Sequence, residues 1–203
     1  MSSDAVSAVT EPAPEPDKEA PRNRRQEETF RKVLTAGTEM LRESSYADLT
    51  VRAVAARAGV APATAYTYFS SKNHLIAEMY LDLVSQCPYF TDVNDSMTTR
   101  VDKALRALTL VVADEPEVAA ACTTALLGGG TDPAVRKVRD RIGAEIHKRI
   151  RSAVGPDADS RIVSALEMTF FGALVNAGSG AFTYHQIADR LTYVVGLVLG
   201  EDK

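Results

Sequence analysis

Histidine and cysteine are scarce in this chain, and their spacing offers no catalytic or metal-binding pattern. The three histidines, His74, His147 and His185, form no HExxH, no i/i+4 pair and no cluster with metal-ligand spacing. The two cysteines, Cys87 and Cys122, form no CxxC. No GxSxG occurs, and Gly128-Gly129-Gly130 lacks the Lys-Ser/Thr that completes a phosphate-binding loop. An enzyme, a metal site and a cofactor are therefore not expected. Also missing are an apolar run of the roughly 20 residues that span a bilayer, an Asn-Gly hairpin, sustained apolar/polar alternation and an internal repeat. The start, Met1-Ser2-Ser3-Asp4, has neither the basic nor the apolar region of a secretory signal. The cysteines are accordingly expected to be reduced, buried thiols in a cytoplasmic protein without a membrane partner, in preference to a disulfide.

The charge is unevenly distributed. The net value of −4 over 203 residues hides three segments of different sign. Residues 1–21 hold one lysine against five acids and alternate Pro12, Pro14 and Pro16, a composition that reads as a disordered acidic tail. Residues 22–72 hold nine bases against five acids, and residues 73–203 hold thirteen against seventeen. The positive charge lies in one short segment, where phosphates would be met.

Nearly every segment after the tail has helical period. Phe30, Val33, Leu34, Gly37 and Leu41 form one stripe. Thr50 is an N-cap for a helix over Val51–Ala58, with Gly59 as its left-handed stop. A short helix follows at Ala61–Tyr68, where Pro62 is tolerated in the first turn. Ser70 or Ser71 caps the next helix, which Cys87-Pro88 ends. Further stripes run from Met97 to Val112, from Pro116 to the Gly128-Gly129-Gly130 stop, and from Val135 to Ile150 before Gly155-Pro156. Two more helices are expected over 159–178 and 185–199. The fold class expected is all-α with about nine helices.

The informative stretch is Thr50–Lys72. Two short helices flank a tight turn at Gly59-Val60, which fits a helix-turn-helix. Val54, Val60 and Phe69 would pack the pair on the first helix, leaving the outer face of the second helix for a major groove. The stretch resembles the DNA-binding signature of the TetR family, T-[TV]-x-x-I-A-x-x-A-G-V-S-x-G-T-[LIF]-Y-x-[HY]-F-x-[ST]-K. Thr50, Val51, Ala55, Ala58, Gly59, Val60, Thr64, Tyr66, Tyr68, Phe69, Ser71 and Lys72 match it. Ala61, Ala63 and Ala65 depart from the usual Ser, Gly and larger apolar residue, which bears on the operator sequence read.

The resemblance implies a helix-turn-helix domain over 22–72 and an all-helical ligand-binding and dimerisation domain over 73–203. It implies that Tyr66 and Tyr68 grip phosphates, that Lys72 adds a charge beside the free N–H groups opening the fourth helix, and that Thr50 and Arg52 hold a flanking phosphate. Thr64 is then the candidate for a base edge, with Pro62 and Ala63 touching a thymine methyl. Arg22, Arg24 and Arg25 form an arm that could reach a minor groove, while Arg57 reads as structural or solvent-facing.

The last two helices carry apolar residues on more than one face, a pattern that needs burial beyond a small core. A homodimer would provide it, and the resemblance implies one that reads a palindromic operator in double-stranded DNA. It also implies an effector pocket among the middle helices. Its candidate lining is Tyr80, Leu83, Leu105, Leu108, Cys122, Leu126, Met168, Phe171 and Asn176. Because no buried acid pair or cationic cluster stands out, an apolar or lipid-like ligand that releases a repressor from DNA is expected. A dimeric DNA binder without an effector, and an activator, are the alternatives at this point.

Overall fold

In the computed structural model, residues 23–128 and 132–200 are described. The expected tail over 1–21, Arg22 and the Gly129-Gly130 pair lie outside the described residues. Among those described there are nine helices and no strand.

Local signals set the boundaries of the first four helices. α1 (Arg24–Glu43) opens on a capping box in which the Asn23 side chain accepts from the Gln26 N–H while the Gln26 side chain accepts from the Asn23 N–H. Its buried stripe is Phe30, Val33, Leu34, Ala36, Gly37 and Leu41. α2 (Val51–Arg57) is capped by Thr50, whose hydroxyl accepts from the Ala53 N–H at 3.0 Å. The chain then reverses at Gly59, whose φ of +65° is a left-handed conformation that a Cβ would strain. α3 (Pro62–Tyr68) starts on proline and receives no side-chain cap from Ala61. Of the two serines considered for α4 (Lys72–Gln86), Ser71 is the cap and accepts from the His74 N–H at 3.0 Å.

The remaining helices are α5 (Met97–Leu110), α6 (Pro116–Gly128), α7 (Pro133–Val154), α8 (Ser160–Gly178) and α9 (Tyr184–Leu199). α1, α2 and α3 pack on one another as a head, and α1 also touches α4 and α6. α4 is the central element: every residue from Leu75 to Leu81 is buried, because α1, α6 and α7 each cover part of its circumference. α7 spans α4, α5 and α8, and α9 lies against α5 and α8. One core runs from the head into this bundle.

Polar ties join the two parts. Arg42 of α1 grips Glu115, just before α6, with two hydrogen bonds of 2.6 and 2.7 Å. Ser71 donates to Asp132 at 2.9 Å, and Asp132 in turn caps α7 through the Ala134 N–H. A buried arginine closes the end of α4. Arg149 donates to the carbonyls of Ser85 and Cys87 at 2.7 and 3.0 Å, satisfying acceptors that the helix terminus leaves over. Both cysteines are buried free thiols. No helix among the described residues is long and apolar enough to cross a membrane.

Candidate nucleic-acid interface and effector cavity

α3 divides sharply into two faces. Ala65 and, at the C-cap, Phe69 are completely buried, and Phe69 stacks on Phe30 of α1 with ring centroids 5.0 Å apart. On the other side Pro62, Ala63, Thr64, Tyr66 and Thr67 are exposed. Tyr66 retains 51% of its surface, an unusual exposure for an aromatic residue on a rigidly anchored helix. Ala65, small where the family pattern has a larger apolar residue, is the buried residue within α3. Neither α2 nor α3 contains an acid. An anionic backbone approaching this face meets no like charge from either helix.

The other expected DNA-facing residues occupy different settings. Thr50 and Arg52 are exposed at the start of α2. Tyr68 is half-buried and meets Phe30 edge-on, 6.2 Å between centroids, so it supports the head core as well as facing outward. Lys72 is folded back: its ammonium donates to the Tyr46 carbonyl at 2.9 Å and lies 4.0 Å from the centre of the Tyr46 ring. The charge expected beside the opening of α4 is thus held against the α1–α2 loop by one of its three donors. Arg24 and Arg25 lie exposed in the first turn of α1, with Arg24 paired to Glu28 at 3.1 Å. Arg57 pairs with Glu43 and Glu39 of α1, in keeping with a structural role.

A second site opens between α4, α6, α7 and α8. It is a cavity of about 330 Å³, within the range of small-molecule sites. Of the residues expected there, Tyr80, Cys122, Leu126 and Phe171 line it. The other five are placed elsewhere. Leu105 and Leu108 are buried in the core on α5, and Leu83 is half-buried against that core. Met168 is 77% exposed. Asn176, also exposed, donates to the Gly172 carbonyl of its own helix. Helical period places a residue on a face but leaves the neighbour of that face unknown, and neither the α5 stripe nor Met168 and Asn176 of α8 reach the cavity.

Sequence reasoning missed Arg139, Thr123 and Tyr184 on this wall. Arg139 was within reach of the pattern, since it follows Val135 by four and precedes Ile142 by three on the buried side of α7. Burial raises the Tyr80 phenol above its usual range and pushes the Cys122 thiol up to about 12. Both are therefore protonated at neutral pH, so neither adds negative charge to the wall.

An ionic group sits just below the head. Burial raises the Glu78 carboxyl, but the His74 imidazole 3.8 Å away and the Arg141 guanidinium hydrogen-bonded to it outweigh that effect and hold it below the ordinary carboxylate range. Arg141 donates to Glu78 at 2.5 Å, linking α7 to α4.

A family model for bacterial regulatory proteins of the tetR family matches residues 33–79. An HTH-type transcriptional regulator of Mycobacterium tuberculosis is 72% identical, the match covering 98% of this chain and 94% of that protein. A regulator of the same description from Mycobacterium bovis has the same identity and coverage. Among solved structures, a TetR transcriptional regulator from Rhodococcus sp. RHA1 is similar with a TM-score of 0.73 at 21% identity, covering 89% of this chain and 100% of its own. A tetR-family regulator from Streptomyces coelicolor is similar with a TM-score of 0.61 at 14% identity, covering 86% and 81%. These two likenesses concern the fold.

Proposed function

Because the chain belongs to the TetR family of bacterial transcriptional regulators, we propose that it is a dimeric repressor whose α3 enters the major groove of a palindromic operator and whose α4/α6/α7/α8 cavity takes a small, largely apolar effector that releases it. The observation that carries the DNA half is the division of α3: Ala65 and Phe69 anchor it while Pro62, Ala63, Thr64 and Tyr66 stand free. Thr64 is the base-reading candidate, with Pro62 and Ala63 suited to a thymine methyl. Thr50, Arg52, Tyr66 and Tyr68 are the phosphate grips, and Arg24 and Arg25 extend the basic edge.

Dimerisation is supported by an unpartnered apolar stripe. Met168, Phe171 and Val175 on α8 are exposed at helical spacing, and so are Tyr193 and Leu197 on α9, the helix packed against it. Two copies joined there would present two α3 helices to half-sites about 34–36 Å apart, one turn of the duplex.

Selection from a random duplex library tests the reading. The protein is expected to enrich an inverted repeat. Arg52→Ala and Tyr66→Phe should each weaken binding to it about ten-fold, and Arg52→Ala should lower the slope of log affinity against log salt by about one contact. Failure to enrich any inverted repeat would remove the operator reading, and unchanged affinity in both variants would remove the residue assignment.

A further inference from the structure

We infer that the cavity between α4, α6, α7 and α8 selects a neutral molecule with an apolar body and a carbonyl-type hydrogen-bond acceptor, and that the Tyr80 hydroxyl donates to that acceptor. The inference rests on the reading of this cavity as the effector site and adds the chemical class of the effector.

Tyr80 lies in the buried run of α4 and keeps only 5% of its surface exposed. A buried tyrosine hydroxyl ordinarily finds a partner, as that of Tyr46 does by donating to Asn73 at 2.6 Å. The Tyr80 hydroxyl makes no hydrogen bond to any described residue. Nor is its oxygen sealed off: open space reaches it, and the open space that Tyr80 borders is this cavity. A phenylalanine would fill the same place in the core without an unpaired hydroxyl, which costs about 1–3 kcal/mol when it is left dry. The phenol stays protonated because burial raises it above its usual range, so it offers an O–H donor to whatever enters.

The rest of the wall sets size and charge. At the ~30 Å³ that one water occupies in the liquid, a cavity of about 330 Å³ admits a molecule of roughly a dozen non-hydrogen atoms. Val112, Leu126, Ile142, Ile146 and Leu174 make much of the wall aliphatic, which favours hydrocarbon and gives no direction to it. No aspartate or glutamate is among the described residues that line the cavity, the Cys122 thiol is protonated, and Arg139 is already engaged in an interaction of its own. A charged ligand would shed its water here without gaining a free counter-charge, a costly exchange. A neutral carbonyl oxygen loses little water and pairs the phenol. A site built around a buried donor also rejects an analogue that lacks the acceptor, because the donor is then left unpaired.

Three molecules of one shape, of a size the cavity admits, serve as probes: acetophenone, its hydrocarbon isostere α-methylstyrene, and benzoate. Each is titrated calorimetrically into the full chain, with helical circular dichroism as the check of folding. Acetophenone is expected to bind about ten-fold more tightly than α-methylstyrene, within the range for a buried hydroxyl left unpaired, and at least ten-fold more tightly than benzoate. Tyr80→Phe should bring acetophenone and α-methylstyrene within about two-fold of each other, and without ligand it should melt no lower than the native protein. Leu126→Trp, which enlarges a wall residue, should block both. Equal binding of acetophenone and α-methylstyrene by the native protein, a preference that survives in Tyr80→Phe, tighter binding of benzoate, or a lower melting temperature of ligand-free Tyr80→Phe overturns the inference and leaves the effector site standing. Binding of none of the three, or binding that Leu126→Trp does not touch, overturns the assignment of the cavity itself and the inference with it.

Discussion

A methyl group added at Gly178 would lie 2.5 Å from Thr123 Cγ2 and 2.9 Å from its hydroxyl oxygen. Non-bonded Cβ contacts this short essentially never occur, so Gly178→Ala must displace Thr123, a stiff β-branched side chain on the cavity wall. The expected loss is about 1–3 kcal/mol, the usual range for overpacking, measured by urea unfolding. Thr123→Ser in the same chain removes Cγ2 and should recover part of it; no recovery would mean that the strain is taken up elsewhere. At this scale much was legible beforehand. Thr50 and Ser71 announce their helices through side chains that reach only a few residues along the chain, and Gly59 announces its turn by the conformation it alone adopts cheaply. Lys72 was not legible in this way, because its partner, Tyr46, comes from a loop 26 residues earlier. A charge at a helix start looks the same on paper whether or not a neighbouring carbonyl accepts from it.

Helices pack here through a few polar ties, and the one between α4 and α7 carries a pH dependence. Glu78 is held below the ordinary carboxylate range, so the stabilisation it provides is fully present above the unfolded value of about 4.3 and is lost as pH falls through the lower folded value. Removing its partner by Arg141→Ala leaves a buried carboxylate with only His74 beside it. The expected cost at pH 7 is about 1–3 kcal/mol, the range for a charged group left short of a partner. Near pH 4 it should shrink, because a protonated Glu78 no longer needs the cation. Urea midpoints of both proteins across pH 4–7 check this, and a pH-independent difference would contradict it. All nine helices were anticipated, since amphipathic period and caps are short-range properties. The lining of the cavity was only half anticipated for the converse reason. It is bounded by α4, α6, α7 and α8, and which faces of four helices converge depends on crossings that no single stripe encodes. Phe171 and Met168 share one stripe of α8, yet Phe171 borders the cavity and Met168 stands in solvent.

For the whole molecule, the exposed apolar stripe on α8 and α9 is the seam of the proposed dimer. A stable interface between two copies usually buries about 1,200–2,000 Å². Met168→Asp combined with Leu197→Asp should convert the dimer to a folded monomer in light scattering and lower operator affinity by at least ten-fold, since each half-site would then be held alone. A mutant that remains dimeric would place the interface on another face. Two residues of this stripe have a double position. Phe171 and Val175 border the cavity and are 42% and 50% exposed on the outer side of α8. In the proposed dimer a second copy dries the mouth of each cavity, so effector binds the dimer more tightly than the monomer and, by reciprocity, tightens the dimer. The dose at which the regulator responds then depends on how many copies the cell holds: dilution below the dimer dissociation constant should raise the half-saturating effector concentration, making abundance itself a setting of the sensor.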